Sequence, residues 1–287
     1  MSPAWLTSPV MVAAGCGGTG RELAAYVDLA ALGAFVTRSI SLDPRAGAPA
    51  PRVVESPSGL VHATGFPNPG VQPFLATELP WLVAQGARVV VSVVAGSLGE
   101  YAELARRLGT APGLTGVEVN LCPADGAGAG VLDVREPVHT GHVVAAVRRE
   151  LPGSVAVLAK VRPDLPRVVE AARAVTDAGA EAVVVGGPLP AVLPDGRPAG
   201  LSGPAVAPVV ARCVAEVRAG LDGVAVVASG GVRSADDARA LLGLGACGVQ
   251  VGTAQLNDPT TLARLLTALG SAPEPRGGQH IPDGGPS

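Results

Sequence analysis

The sequence predicts a single (β/α)8 barrel, and two patterns carry that expectation. Eight short, near-continuously apolar runs alternate with eight longer segments of helical spacing or composition. Parallel strands covered on both faces read this way, whereas half-solvated antiparallel strands alternate apolar with polar. Glycine-rich stretches follow the seventh and eighth runs, where barrels of this kind bind phosphate.

In chain order, the first strand is expected at Val10–Ala14 and the first helix at Arg21–Leu32. The second strand, Ala34–Arg38, leads into an unusually long stretch, Ser39 to Ala87, whose opening is Pro-rich. An insertion after a barrel strand lies on the catalytic face, so this one is expected to cover the pocket. It closes on the second helix, Phe74–Gln85. Val89–Val94 and Gly99–Leu108 form the third unit, with Ser97 as the helix N-cap. Val117–Leu121 and Val138–Leu151 form the fourth, Val155–Val161 and Leu165–Ala178 the fifth. Ala182–Val185 and Pro204–Ala219 come next, the proline suiting a first helical turn. Val224–Ala228 precedes Ala235–Leu244, capped by Ser234. Gly248–Val251 and Pro259–Leu269 complete the barrel. No repeat or linker divides residues 1–270, which read as one domain, and Ser271–Ser287 is Pro/Gly-rich, the signature of a disordered tail.

With 48% hydrophobic and only 2% aromatic residues, Ala, Val and Leu must fill the core. A net charge of −3 offers no basic footprint for nucleic acid. Apolar runs are too short and broken to span a membrane, and the start lacks the pattern of a secretion signal. A cytoplasmic protein is expected. Cys16, Cys122, Cys213 and Cys247 are too scattered for a metal or redox pair, so reduced thiols and no metal site are expected.

Among the chain's 21 basic residues Lys160 is the one lysine. It stands near the carboxyl end of an apolar strand, where barrel active sites gather. The alternative is a lysine snorkelling out of a strand end. Gly230, Gly231, Gly252 and Thr253 are candidate phosphate binders, because glycine backbones can approach the oxygens closely; tight turns alone would also use glycine. Cys122 ends the fourth strand beside the glycine loop Gly126–Gly130. It reads equally as a base or nucleophile under a mobile lid and as an inert small hydrophobe. His139 and His142 read as helix surface, Cys213 and Cys247 as packing. His62, inside the insertion, is placed to reach the pocket.

Taken together in this order, the motifs resemble the dihydroorotate dehydrogenases along nearly the whole barrel. They are Pro9–Gly15, Asp43-Pro-Arg45, Pro51-Arg52, Gly65–Val71, Ala95-Gly-Ser97, Glu118-Val-Asn120, Cys122-Pro123, Lys160, Gly200–Pro204, Ser229-Gly-Gly231 and Gln250–Ala254. The resemblance implies a flavin mononucleotide (FMN) barrel that oxidises dihydroorotate to orotate in pyrimidine synthesis. It resembles the soluble class 1 enzymes, more the branch that works with an iron–sulfur electron-transfer subunit, and implies a homo-oligomer and a small-molecule carboxylate substrate. Ala14, Asn120, Lys160, Ser202, Gly203, Gly230, Gly231, Gly252 and Thr253 would bind FMN. Arg38, His62 and Asn120 would bind substrate, with Cys122 and Lys160 catalytic. A free thiol's pKa of ~8.5 would suit Cys122 as a base at mildly alkaline pH.

The chain departs from the family pattern at the pyrimidine end. One residue is missing before Cys122, and Ala124, Arg38, His62, Val93 and Gly187-Pro188 stand where the family has amide, lysine or Asn-Thr side chains. Orotate is therefore expected to bind at least tenfold more weakly than in a complete site. The alternative is a divergent member that binds FMN or a phosphate ligand but acts on another carboxylate or serves as a non-catalytic partner subunit.

Overall fold

The computed structural model describes residues 3–123, 130–132 and 134–270. Its strands are β1 (Val10–Val12), β2 (Ala34–Val36), β3 (Val53–Ser56), β4 (Gly59–His62), β5 (Val89–Val93) and β6 (Leu114–Asn120). They continue with β7 (Ala156–Val161), β8 (Ala182–Gly186), β9 (Leu189–Val192), β10 (Pro198–Ser202), β11 (Ala225–Ser229) and β12 (Gly248–Val251). Eight of them, β1, β2, β5, β6, β7, β8, β11 and β12, close into a parallel barrel in that order. The expected (β/α)8 architecture is therefore present.

Strand alternation divides the apolar residues between two compartments. Met11, Ala34, Val36, Val90, Ala156, Leu158, Ala182, Val184 and Val227 cluster inside the barrel. Their neighbours in sequence, such as Val12, Phe35, Val91, Val157, Val183 and Val226, pack outward against the helices. The barrel interior is narrow, which suits a chain with three phenylalanines and much valine. Fully burying each valine contributes roughly 1.5–3 kcal/mol. Beyond this plug the inward positions turn polar: Ser92, Glu118, Asn120, Lys160, Ser229 and Gln250 are all buried.

The helices are α1 (Val71–Pro73), α2 (Leu79–Ala84), α3 (Leu98–Gly109), α4 (Pro137–Glu150), α5 (Val168–Asp177), α6 (Ala207–Gly220), α7 (Ala235–Gly243), α8 (Thr253–Asn257) and α9 (Thr261–Gly270). Both expected serine caps form: Ser97 accepts from Glu100 N–H at 3.2 Å, and Ser234 makes a reciprocal capping box with Asp237. A five-residue π turn, Phe74–Glu78, joins α1 to α2. Pro80 cannot donate the next backbone hydrogen bond, which accounts for the widened turn.

Three expectations need correction. The first helix is absent; two 3-10 turns, Leu23–Ala25 and Leu29–Ala31, replace it. Asp28 accepts from Ala30 N–H at 3.0 Å, a local bond that competes with helix continuation. The last helix begins at Thr261 rather than Pro259, after Asp258 captures Thr260 N–H at 2.9 Å. The sixth unit holds an element that was not expected: beside the long insertion after β2, a second insertion after β8 forms the β9–β10 hairpin. The two build one antiparallel sheet, β3-β4-β10-β9, with His62 opposite Gly200. Pro194-Asp-Gly196 between β9 and β10 is a hairpin signal that marks this element in the sequence.

No helix among the described residues is long and apolar enough to cross a membrane. The expected tail, Ser271–Ser287, and most of the expected lid, residues 126–129, lie outside the described residues, as does Ala124.

Candidate functional site

A cavity of about 1090 Å³ opens at the carboxyl ends of the barrel strands, with β3 and β4 of the antiparallel sheet as its roof. Every site residue expected from the sequence and described here lines it: Ala14, Arg38, His62, Asn120, Cys122, Lys160, Ser202, Gly203, Gly230, Gly231, Gly252 and Thr253.

At the floor, Lys160 is buried rather than snorkelling outward. Strands β6, β7 and β12 place it in a closed triangle. Lys160 Nζ donates to Glu118 Oε1 at 3.1 Å and to Gln250 Oε1 at 2.7 Å. Gln250 Nε2 in turn donates to Glu118 Oε2. An ammonium carries three hydrogens, so one remains for a group in the cavity. Glu118 and Gln250 fall within the motifs of the sequence, which give them no role. Their signal is a polar residue flanked by valines in a buried strand, Val117-Glu-Val119 and Val249-Gln-Val251.

Asn120 pairs with Lys160 in the β6–β7 register and is held from both ends of its amide. Its Nδ2 donates to Ser39 Oγ at 3.2 Å, and Ser39 Oγ is 2.9 Å from Ser92 Oγ. Its Oδ1 accepts from Cys122 N–H at 3.2 Å and from the Cys122 thiol at 3.4 Å. The thiol is therefore tethered to the same amide that faces the cavity.

Burial pushes the Cys122 thiol up to about 11, although the Lys160 and Arg162 charges pull it down. The expectation of an ordinary thiol is corrected on this point: desolvation outweighs the nearby cations. Gly187 makes the room that Cys122 occupies, since a Cβ there would lie 2.6 Å from Sγ. Cys16 is a second thiol on the cavity wall, which sequence reasoning passed over. Desolvation raises it to about 11 as well, against the pull of Lys160.

The opposite end is a cradle of glycines and hydroxyls. Thr253 Oγ1 donates to Ser202 Oγ at 2.9 Å, joining the β12 and β10 ends. Two helical starts open here without a side-chain cap: α8 at Gly252–Thr253, and the 3-10 turn Pro204–Val206 at Gly203. At α8 the first backbone N–H groups have no partner within the helix, whereas at the 3-10 turn Pro204 carries no N–H and Ala205 N–H already donates to Ser58 O at 3.0 Å. The α7 terminus behind Gly230 and Gly231 is different, because Asp237 already accepts from Arg233 and Ser234 N–H. The helix behind the cradle is thus the short α8, the usual extra helix of barrel phosphate sites.

On the rim, Arg38 Nε lies 3.9 Å from Glu78 Oε2, too far for a hydrogen bond. Desolvation raises the Glu78 carboxyl, against the pull of Arg38. His62 reaches the cavity from β4. Val93 is buried among the helices and strands. His139 and His142 are exposed on α4, and Cys213 is core packing within α6, as expected. Among the described residues no cluster of His, Cys, Asp or Glu is fit to hold a metal ion.

The family model described as dihydroorotate dehydrogenase matches residues 3–272. Among curated relatives, the dihydroorotate dehydrogenase B (NAD(+)) catalytic subunit of Pelobacter propionicus is 38% identical, covering 97% of this chain and 93% of its own. The protein of the same name from Desulforudis audaxviator is 39% identical, over 92% and 88%. That of Anoxybacillus flavithermus is 34% identical, over 96% and 90%.

Proposed function

The chain belongs to the dihydroorotate dehydrogenase family, and from that premise we propose that it is an FMN-dependent oxidoreductase converting dihydroorotate to orotate in pyrimidine biosynthesis. One observation carries the reading. A single cavity joins an anion cradle at one end to the Lys160, Asn120 and Cys122 cluster at the other.

The residues fit FMN by the chemistry of their donors. Uncapped backbone N–H groups at Gly252–Thr253, with the Ser202 and Thr253 hydroxyls and the Cβ-free backbone of Gly203 beside them, suit a phosphate. Gly230 and Gly231 allow close backbone approach, and Ala14 lines the same wall. Lys160 offers its third hydrogen to the ring's electron-accepting edge. FMN, when bound, supplies a two-electron acceptor for hydride.

Cys122 Sγ, as thiolate, takes a proton from the substrate carbon adjacent to the one that gives up hydride, and ends the step as the neutral thiol. Asn120 Oδ1 holds that thiol, and Asn120 would hydrogen-bond where flavin and substrate meet. Arg38, always charged, grips the substrate carboxylate from the rim, with His62 beside it. The β3–β4 roof over these groups limits the access of water.

Residues 1–270 form the one catalytic domain in this reading. The protein is cytoplasmic and homo-oligomeric, and passes electrons to a separate iron–sulfur subunit. Supporting the last point, the relatives are named catalytic subunits. Anaerobic addition of dihydroorotate to the FMN-loaded protein tests the proposal: flavin absorbance bleaches if it holds. Protein that binds FMN but does not bleach, while another carboxylate reduces it, favours the divergent reading that Arg38, His62 and Gly187 suggest.

A further inference from the structure

We propose that Glu118 tunes the bound flavin: as a buried counter-charge behind Lys160, it damps the ammonium's field at the ring and holds the flavin's reduction potential down. The inference rests on the FMN reading above and assigns a role to a residue that touches neither ligand.

Glu118 is wholly buried and lies behind the cavity wall, whereas Lys160 and Gln250 form part of that wall. Its carboxylate meets Lys160 Nζ at 3.1 Å, and the Gln250 amide links its second oxygen back to the same ammonium. Two consequences follow. The Gln250 amide has one orientation, oxygen toward Lys160 and nitrogen toward Glu118, so the triangle holds Nζ at one place on the floor. The ring also faces an ammonium whose charge is largely offset by a carboxylate on its far side. In a low-dielectric interior such a pair acts beyond its own contact distance, because little solvent screens it. The acids that line the cavity, Glu55 and Asp258, stand on the roof and beyond the cradle. Glu118 is accordingly the acid placed to oppose Lys160. An ion pair kept only for stability would affect unfolding and flavin retention, with no effect on the potential.

The test uses the FMN-loaded protein and reference dyes of known potential. Glu118→Gln should shift the two-electron reduction equilibrium at least tenfold toward reduced flavin, which is about 30 mV more positive. Glu118→Asp keeps the charge and should stay within threefold of wild type. Gln250→Glu adds a second carboxylate beside Lys160 and should move the equilibrium at least tenfold the other way, a prediction that survives if Glu118→Gln fails to fold. A readout without flavin is available because the chain has one lysine. Labelled with ¹⁵N-lysine, the protein gives one ammonium signal, whose hydrogen exchange should quicken at least tenfold in Glu118→Gln. Unchanged potentials in both charge variants, or shifts of the opposite sign, overturn the proposal. Wild-type protein that takes up no FMN overturns the functional reading itself, a separate outcome.

Discussion

Replacing Gly187 by alanine asks whether the space opposite Cys122 sets the thiol's position. The added Cβ would stand 2.6 Å from Sγ and 3.2 Å from the cysteine Cβ, roughly 1 Å inside ordinary non-bonded contact. Overpacking of that kind costs about 1–3 kcal/mol. Gly187 also adopts φ +108°, where alanine adds strain of about 1–3 kcal/mol. A double-mutant cycle with Cys122→Ala separates the two causes, since removing Sγ relieves the collision and leaves the backbone strain. Urea unfolding should show Gly187→Ala less costly in the Cys122→Ala background by about 1–3 kcal/mol. In the enzyme itself, a thiol displaced by ~1 Å should lose ~100-fold in the rate of flavin reduction by dihydroorotate. Equal penalties in the two backgrounds, within ~0.5 kcal/mol, would refute the idea that Gly187 seats the thiol.

With Cys122 raised to about 11 and active as the thiolate, flavin reduction should climb ~tenfold per pH unit up to that value. A stopped-flow pH profile that levels near pH 8.5 would show that bound ligands restore an ordinary thiol. Thr253→Val deletes the hydrogen bond to Ser202 and one cradle hydroxyl, and should weaken FMN binding ~tenfold by fluorescence titration; an unchanged Kd puts the phosphate elsewhere. Arg38→Ala should weaken orotate binding ~10–100-fold, as expected for a charge-assisted contact, with FMN affinity unaltered. Loss of both affinities together would move Arg38 out of the substrate role.

The barrel was legible because each of its strands is buried on both faces, which leaves an apolar run wherever the chain enters the barrel. The cradle was legible for a related reason, since Gly230, Gly231 and Gly252 follow those runs directly. Local competition decided the first failure: Asp28 captures a nearby N–H group, and composition alone does not reveal which bond wins. The floor triangle was hidden by distance along the chain. Lys160 meets Glu118 across 42 positions and Gln250 across 90, and three strands that bring them together are arranged only by closure of the barrel. The thiol's shift was likewise out of reach, because desolvation depends on the packing around Cys122 and not on its neighbours in sequence.

The roof has a consequence for when the cradle can take up a ligand. Ser202 Oγ donates to Leu60 O at 3.5 Å across 142 positions, and the cradle is completed only by Thr253. Closing so long a loop carries an entropic cost that local helix and strand contacts do not share, so these pairings form after the segments they join. During synthesis, the strands through β8 are already made before β10 exists to meet β4. A ribosome-bound chain ending anywhere before α8 lacks one side of the phosphate cradle. Ligand uptake by the cradle therefore requires the chain to be made through α8, the same stretch of synthesis that supplies β12 to close the barrel.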